Sequence, residues 1–503
     1  MNRATTAILV LLLAGCATRT ADAPCGVDCP ATVFTTETQR DVDILFVIDN
    51  TEPEEQQALV NGFPTLLEAL HSPRLGSAIP SLHIGVVSTD LGAGNHGLPS
   101  CEVAGGDNAK LQALPRLAGC TPPTQPFISY EAGVTNINSP TIDPIQQMDE
   151  AFSCIAMLGS AGCHFKHTIE SARRALDPAV NPGFLRGSAV LAVLFLTVQD
   201  DCSARKPELF DPSQTSMNDP LGPLTSFRCF EFGIQCDIND RSKPGPRKGC
   251  KPAYDWLYRI ESYVGFFKGL RPEGQVVMAA IAGPVDKVEV GMDAQNPVLR
   301  PSCQTSMGRA RPAIRIKALL DSFGNKGLFN GGTDKTLTQD LPVDVCRQSY
   351  APALRRLGRA IVSTLVGRCL PKPLLTLGGG LACHKGDVIG AGATCRQSCL
   401  DQADCHVQIQ TPSKPPQSPA VDVPRCAPAK FANPADTDCG DTCPCWRIVP
   451  NPAECSPIVG TTPYRFEVLP WPSPSPGSTV AAHCRQSEHP WGSAELAALP
   501  QCE

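Results

Sequence analysis

At 503 residues, 42% of them hydrophobic, the chain is long enough for two or more domains with cores of their own. A net charge of -6 excludes the basic footprint of a nucleic-acid binder, and 6% aromatic residues leave no stacking platform for sugars or bases. Twenty-five cysteines point to an oxidising compartment, where disulfides form and persist.

At the amino end, Arg3 precedes the apolar run Ala7 to Leu13, which is too short to span a bilayer, and Leu13-Ala14-Gly15-Cys16 follows. This stretch resembles the lipobox of a bacterial lipoprotein signal. The resemblance implies that residues 1–15 are cleaved, that Cys16 is acylated, and that the body is held at the cell envelope. Ala17 is not the aspartate that resembles an inner-membrane retention signal in enteric bacteria, so the outer membrane is expected, with the body facing the periplasm or the surface. With Cys16 used as an anchor, the remaining cysteines are even in number and can all pair. Residues 16–40 read as a lipid-anchored leader, a tether whose Cys25 and Cys29 could staple it to the body. No later apolar stretch is long enough to cross a membrane.

The body opens with a near-continuous apolar run, Val42 to Ile48, the pattern of a buried strand. After Asp49-Asn50-Thr51-Glu52, a helix is predicted from Pro53. Leu59, Phe63, Leu66, Leu67 and Leu70 share one face, Glu54 and Glu55 suit its positive end, and Pro64 is placed to kink it. A second strand covers Leu82 to Ser88. Then comes a Gly/Pro-rich segment with Cys101 and Cys120. Two helical faces follow, Ile145, Met148, Phe152, Ile155 and Phe165, Ile169, Ala172, Leu176, with Cys154 and Cys163 between or beside them. Further strands are Ala189 to Thr197 and Val276 to Ala282; further helices are Tyr254 to Phe267, Ile314 to Phe323 and Pro352 to Val366. Alternating strands and helices give an α/β fold, a doubly wound and mostly parallel sheet, over residues 41–369.

Residues 200–253 are too long for an ordinary strand-to-helix connection and carry Cys202, Cys229, Cys236 and Cys250. They read as a disulfide-stapled insertion at the rim of a site. Residues 370–503, rich in Cys and Pro, read as a loop-rich region in which staples replace a core. Residues 17–369 hold 13 cysteines and residues 370–503 hold 11, so complete pairing requires a bridge across the boundary, with Cys369 as the candidate.

The strand Asp43-Ile44-Leu45-Phe46-Val47-Ile48-Asp49 resembles the first strand of a von Willebrand factor A-type (vWA) domain. Segments His83 to Asp90, Gly159 to Leu176, Phe195 to Ser203 and Tyr263 to Pro284 are similar to the subgroup found in bacterial lipoproteins, so the likeness runs from about Asp41 to Gly367. It implies a six-stranded doubly wound sheet with a site at the carboxyl ends of its central strands. There the family holds Mg²⁺ through carboxylates, hydroxyls and waters, leaving one position for an acidic residue of a partner. By that resemblance Asp49 matches the first aspartate, Thr51 the first serine and Ser160 the threonine of the second loop. Pro53 stands where the second serine should be, and Val198 where the last aspartate should be. The nearest acids are Asp200 and Asp201, and Asp200 serves only if its loop folds back. The expectation is a degenerate site of Asp49, Thr51, Ser160 and Asp200 that binds Mg²⁺ weakly or not at all. Asp49 alternatively caps the following helix.

Enzyme motifs are missing from the sequence: it has no His-Glu-x-x-His and no Gly-x-Ser-x-Gly. His164 and His167, one helical turn apart, read as a solvated face. The sequence therefore predicts a lipoprotein that binds an unidentified protein or envelope polymer and catalyses nothing. The alternative is a structural or assembly component of the envelope built on a degenerate vWA scaffold; a hydrolase in the Cys-rich tail ranks third. Cys16→Ala is expected to leave an unprocessed or soluble, unacylated protein, read by detergent partitioning; unchanged partitioning contradicts the anchor.

Overall fold

The computed structural model describes residues 23–29, 31–35, 41–71, 79–99, 101–114, 119–187, 189–271, 275–306, 308–324, 327–330, 343–365, 370, 373–390, 393–410, 420–432, 443–450, 464–469, 479–489, 496 and 499–500. Cys16, expected from sequence to be acylated, and the candidate crossing cysteine Cys369 lie outside them. The chain divides into two units, Thr38–Gly367 and a second made of Met1–Glu37 with Arg368–Glu503.

In the first unit, strand β1 (Asp41–Ile48) buries every residue but its first. A strand apolar on both faces needs cover on both faces, which a parallel sheet with crossover helices supplies. The chain continues through α1 (Pro53–Leu70), β2 (Ser81–Ser88), β3 (Ile128–Glu131), β4 (Val134–Thr135), α2 (Pro144–Ala156), α3 (Thr168–Ala175), β5 (Val190–Leu196), α4 (Ile260–Gly269), β6 (Val276–Ile281), α5 (Ile314–Asp321), β7 (Gly327–Phe329) and α6 (Ala351–Leu365). The sheet order is β7-β6-β5-β1-β2-β3-β4. Strands β7, β6, β5, β1 and β2 run parallel; β3 and β4 add an antiparallel edge. Seven strands stand where the resemblance implied six. The edge hairpin follows Cys120, in a segment for which the sequence reading named no strand.

One face of β1, with Val42, Ile44, Phe46 and Ile48, packs among residues of α1, α2 and α6. Phe46 lies 4.8 Å from Phe152, whose ring stacks on Phe63 at 3.9 Å. The other face, with Leu45 and Val47, packs among residues of α3, α4 and α5. Helices α1 and α6 approach closely at Gly62, where a Cβ would stand 2.8 Å from the Leu354 side chain. Buried carboxylates lie at both ends of β1. At the amino end, Asp43 accepts from Arg186 Nε at 2.8 Å and Arg271 Nη2 at 3.3 Å. Burial pushes the Asp43 carboxyl above its ordinary range, opposed by the Arg186 charge. Asp49 lies at the carboxyl end.

Two helices start later than the sequence pattern suggested, because their first residues are held elsewhere. The backbone of Trp256 and Tyr258 bonds to Arg205 and Ser203, so α4 begins at Ile260. His167 N donates to Thr89 O, and α3 begins at Thr168, leaving Phe165 in the preceding loop.

The insertion is bridged by Cys202–Cys229 and Cys236–Cys250. Cys101–Cys163, Cys120–Cys154 and Cys303–Cys346 complete the described bridges of this unit.

The second unit is Cys-rich and rich in loops, as expected, but it has an apolar core of its own. The leader is part of it: Ala31–Thr35 pairs antiparallel with Thr479–Cys484, and Cys25 bonds Cys29, not a cysteine of the body. Thr479–Cys484 also pairs with Cys405–Gln410, and Cys445–Pro450 pairs with Tyr464–Leu469. These strands carry an apolar core in which Trp446 stacks on Phe466 at 5.3 Å. Disulfides Cys383–Cys395, Cys405–Cys484 and Cys426–Cys445 add to that core without replacing it. No described helix is long and apolar enough to cross a membrane.

The root of the insertion rests on one buried ion pair. Asp201 Oδ2 accepts from Arg315 Nε at 3.1 Å, and both side chains are fully buried. Asp201 Oδ1 takes Ile169 N of α3, while Arg315 Nη2 donates to Tyr258 O. Removing one partner leaves an uncompensated buried charge, so Arg315→Met is expected to cost about 3–5 kcal/mol in chemical denaturation. A loss below about 1 kcal/mol, the scale of an exposed pair, contradicts this.

Candidate functional site

Strand order reverses beside β1, since β2 lies on one side and β5 on the other. In open α/β sheets, ligands sit outside the carboxyl ends of strands at such a switch point. Two residues of this chain reach that place directly, Asp49 after β1 and Thr197 after β5.

Asp49 is buried and carries more than a turn. Its Oδ1 accepts from Thr51 N at 3.1 Å and Thr51 Oγ1 at 2.7 Å. The same oxygen stands 2.7 Å from Lys166 Nζ, with the two side chains 2% and 1% exposed. Lys166 Nζ also donates to Thr51 Oγ1 at 2.9 Å. Asp49 Oδ2 lies 3.3 Å from Thr197 Oγ1. Asp49 is therefore not the cap of α1, whose first turn starts after Glu52 with no side-chain cap.

The loop that delivers Lys166 is locked on all sides. Gln56 Nε2 donates to Gly159 O at 2.8 Å, and Gly159 N returns a bond to Gln56 Oε1 at 2.9 Å. Gly162 N donates to Asn50 O, and a Cβ on Gly162 would fall 2.0 Å from Asn50 Oδ1, so any larger residue there has to displace the Asn50 side chain. Cys163, bridged to Cys101, donates its N–H to Asp90 Oδ2 at 3.0 Å. The Lys166 carbonyl takes Cys202 N at 2.7 Å, which ties the lysine to the root of the insertion.

Of the four site residues read from sequence, two meet. Asp49 and Thr51 share the lysine. Ser160 is exposed, and no hydrogen bond joins it to Asp49 or Thr51. Asp200 does not fold back. It accepts from Arg315 N at 2.9 Å and Ile316 N at 3.2 Å, serving the first turn of α5. Val198 is buried in the core. His164 and His167 are not a helical pair: His167 is buried in the loop, with Nε2 3.0 Å from Gly92 O. The residue that sequence reasoning missed is Lys166. Its one local signal is a lone cation between Phe165 and the helix face of Ile169.

A Mg²⁺ held by Asp49 and Thr51 would have to take the place of the ammonium. Mg²⁺ needs near-octahedral oxygen ligands at about 2.0–2.1 Å and keeps several waters. Here the two oxygens that would face it are engaged by a buried cation, so the residues present do not fit that ion. Elsewhere among the described residues, Cys303, Asp344 and Cys346 cluster at ligand spacing, but the two sulfurs form a disulfide.

No protein-family model matches this chain, and no curated protein does. Solved structures that resemble it include a von Willebrand factor type A protein from Catenulispora acidiphila, 10% identical over 94% of this chain and 68% of that one, with a TM-score of 0.25. The pilus adhesin SpaC from Lactobacillus rhamnosus GG is 11% identical over 90% of this chain and 40% of its own, at a TM-score of 0.30. The pilus adhesin RrgA from Streptococcus pneumoniae is 7% identical over 91% and 58%, at 0.27. The fold rests on the strand order and register of this chain, not on likenesses of that size.

Beside Asp49, the first turn of α1 holds carboxyls under strain of charge and burial. Glu55 is buried with Oε2 unpartnered, and burial, with Glu52, Glu54 and Asp49 nearby, pushes its pKa up to about 7. Because the folded value lies above the unfolded one, its contribution is full below the ordinary carboxylate range and is lost as pH rises through about 7. Relative to Glu55→Gln, the native protein should lose stability between about pH 4.5 and pH 7, by an amount on the order of 3 kcal/mol at most. Denaturation profiles of the two proteins that stay parallel across this window contradict the assignment.

Proposed function

We propose that this protein is an envelope-anchored lipoprotein with a vWA-like unit, and that this unit binds another macromolecule and has no catalytic role. The supporting observation is the insertion at residues 200–253. It leaves the carboxyl end of β5 at the topological switch point, where ligands of such sheets bind. It is also rigid. Two disulfides close it, and the buried guanidinium of Arg228 donates to the carbonyls of Pro223, Leu209, Asp211, Gln214 and Gly222. A preorganised surface loses little conformational entropy on binding, whereas a floppy loop of that length must be ordered at the expense of affinity. The outer face is polar, with Lys243, Lys248 and Lys251 exposed. The Leu13-Ala14-Gly15-Cys16 stretch supports attachment to the envelope, and the partner is then a protein or envelope polymer within reach of the membrane.

Capture of full-length protein on envelope fractions tests the reading. Saturable capture is expected, with severalfold weakening when Lys243, Lys248 and Lys251 are all changed to Glu. Saturable capture that ignores those changes and every other exposed substitution in the insertion removes the rim from the account. Absence of capture on any fraction favours the scaffold alternative.

A further inference from the structure

We propose that Lys166 is a resident cation: its ammonium takes the place at the sheet switch point that a divalent metal holds in a vWA domain, and makes this end of the fold indifferent to metal. The proposal rests on the vWA-like reading of the sheet and deepens it by naming what fills the site.

Three features make this a substitution and not a passing contact. First, the ammonium bonds the two residues that match the family's first metal ligands, Asp49 Oδ1 at 2.7 Å and Thr51 Oγ1 at 2.9 Å. Second, it is enclosed. Lys166 is 1% exposed and Asp49 2%, so no open position is left for a partner's carboxylate. Third, the lysine backbone is pinned on both sides, by Cys202 N on its own carbonyl and by His167 N on Thr89 O. An ammonium is a single compact charge that donates up to three hydrogen bonds. It neutralises one aspartate without a hydration shell, which suits a site that has lost the second hydroxyl to Pro53 and the last acid to Val198. Taking such a pair out of water costs several kcal/mol per ion, and an apolar pair of the same shape is often as stable. Stability alone therefore gives no reason to keep both charges. Charge balance at the place where a vWA domain holds its metal does.

The test uses the full chain with its disulfides intact. Mn²⁺ alone is the probe, and bound and free Mn²⁺ are read by electron paramagnetic resonance. The native protein is expected to show no saturable binding below about 1 mM, the weak end of carboxylate sites for hard cations. Lys166→Ala opens the place of the ammonium and should gain saturable Mn²⁺ binding, lost again in Asp49→Asn/Lys166→Ala. If Lys166→Ala does not fold, Lys166→Met and Asp49→Asn supply a second reading: each lowers Tm, and the double variant loses less than the sum of the two. Micromolar Mn²⁺ binding by the native protein that Asp49→Asn abolishes overturns the proposal. So does a folded Lys166→Ala that takes up no Mn²⁺, or a strictly additive double variant. Metal uptake is read without any partner, so its failure leaves capture on envelope fractions standing as a separate result.

Discussion

The contact on which the upper end of the sheet depends is the buried bond between Asp49 and Lys166. A carboxylate at the carboxyl end of a central strand is costly unless it is fully paired. Here one oxygen receives a backbone N–H, a hydroxyl and an ammonium. That requirement reaches outward. The Gly159–Cys163 turn must lie against Asn50 and Gln56 to set the height of the lysine, and the Cys101–Cys163 bridge holds that turn. Cys202, by bonding the Lys166 carbonyl, makes the start of the insertion part of the same assembly. At the other end of β1, Asp43 plays the matching part with Arg186 and Arg271. The strand is thus fastened at both ends by charge and along its length by apolar packing.

This arrangement separates two properties that a metal-bearing site combines. The switch point is closed and charge-balanced from within, whereas the rigid polar insertion stands at its rim. In the function proposed above, recognition belongs to the rim, and the interior pair holds the turn after β1 and the Lys166 loop together beneath it. Asp200 and Asp201 show the same division. Both sit where a partner-facing acid was conceivable, and both are instead turned inward, one to the first turn of α5 and the other to Arg315.

Much of the first unit was legible in the sequence because its signals are local. Val42 to Ile48 and Ala189 to Thr197 are apolar runs of strand length, and buried parallel strands have no other way to read. The ends of α3 and α4 were not legible, because Thr89 and Ser203, far along the chain, claim the backbone that would have extended those helices. Half of the site was legible too, as Asp49 and Thr51 sit together in one turn. Lys166 was not, since it is 115 residues from Thr51 and nothing local announces its partner. Ser160 shows the complementary error: the loop was identified, but the residue it contributes was not. In the second unit, the alternation in Tyr464-Arg465-Phe466-Glu467-Val468 is a strand signal that the surrounding prolines and cysteines obscured. The pairing of Ala31–Thr35 with Thr479–Cys484 spans nearly the whole chain, a distance over which no periodicity speaks.

At the end of β1 it is an ammonium, and not a metal, that balances Asp49. A crystal structure determined after equilibration with Mn²⁺, with anomalous differences collected at the manganese edge, examines that position atom by atom. Lys166 Nζ is expected within hydrogen-bond distance of Asp49 Oδ1 and Thr51 Oγ1, with no anomalous peak beside them. A manganese peak coordinated by Asp49, with the Lys166 side chain displaced, would contradict it.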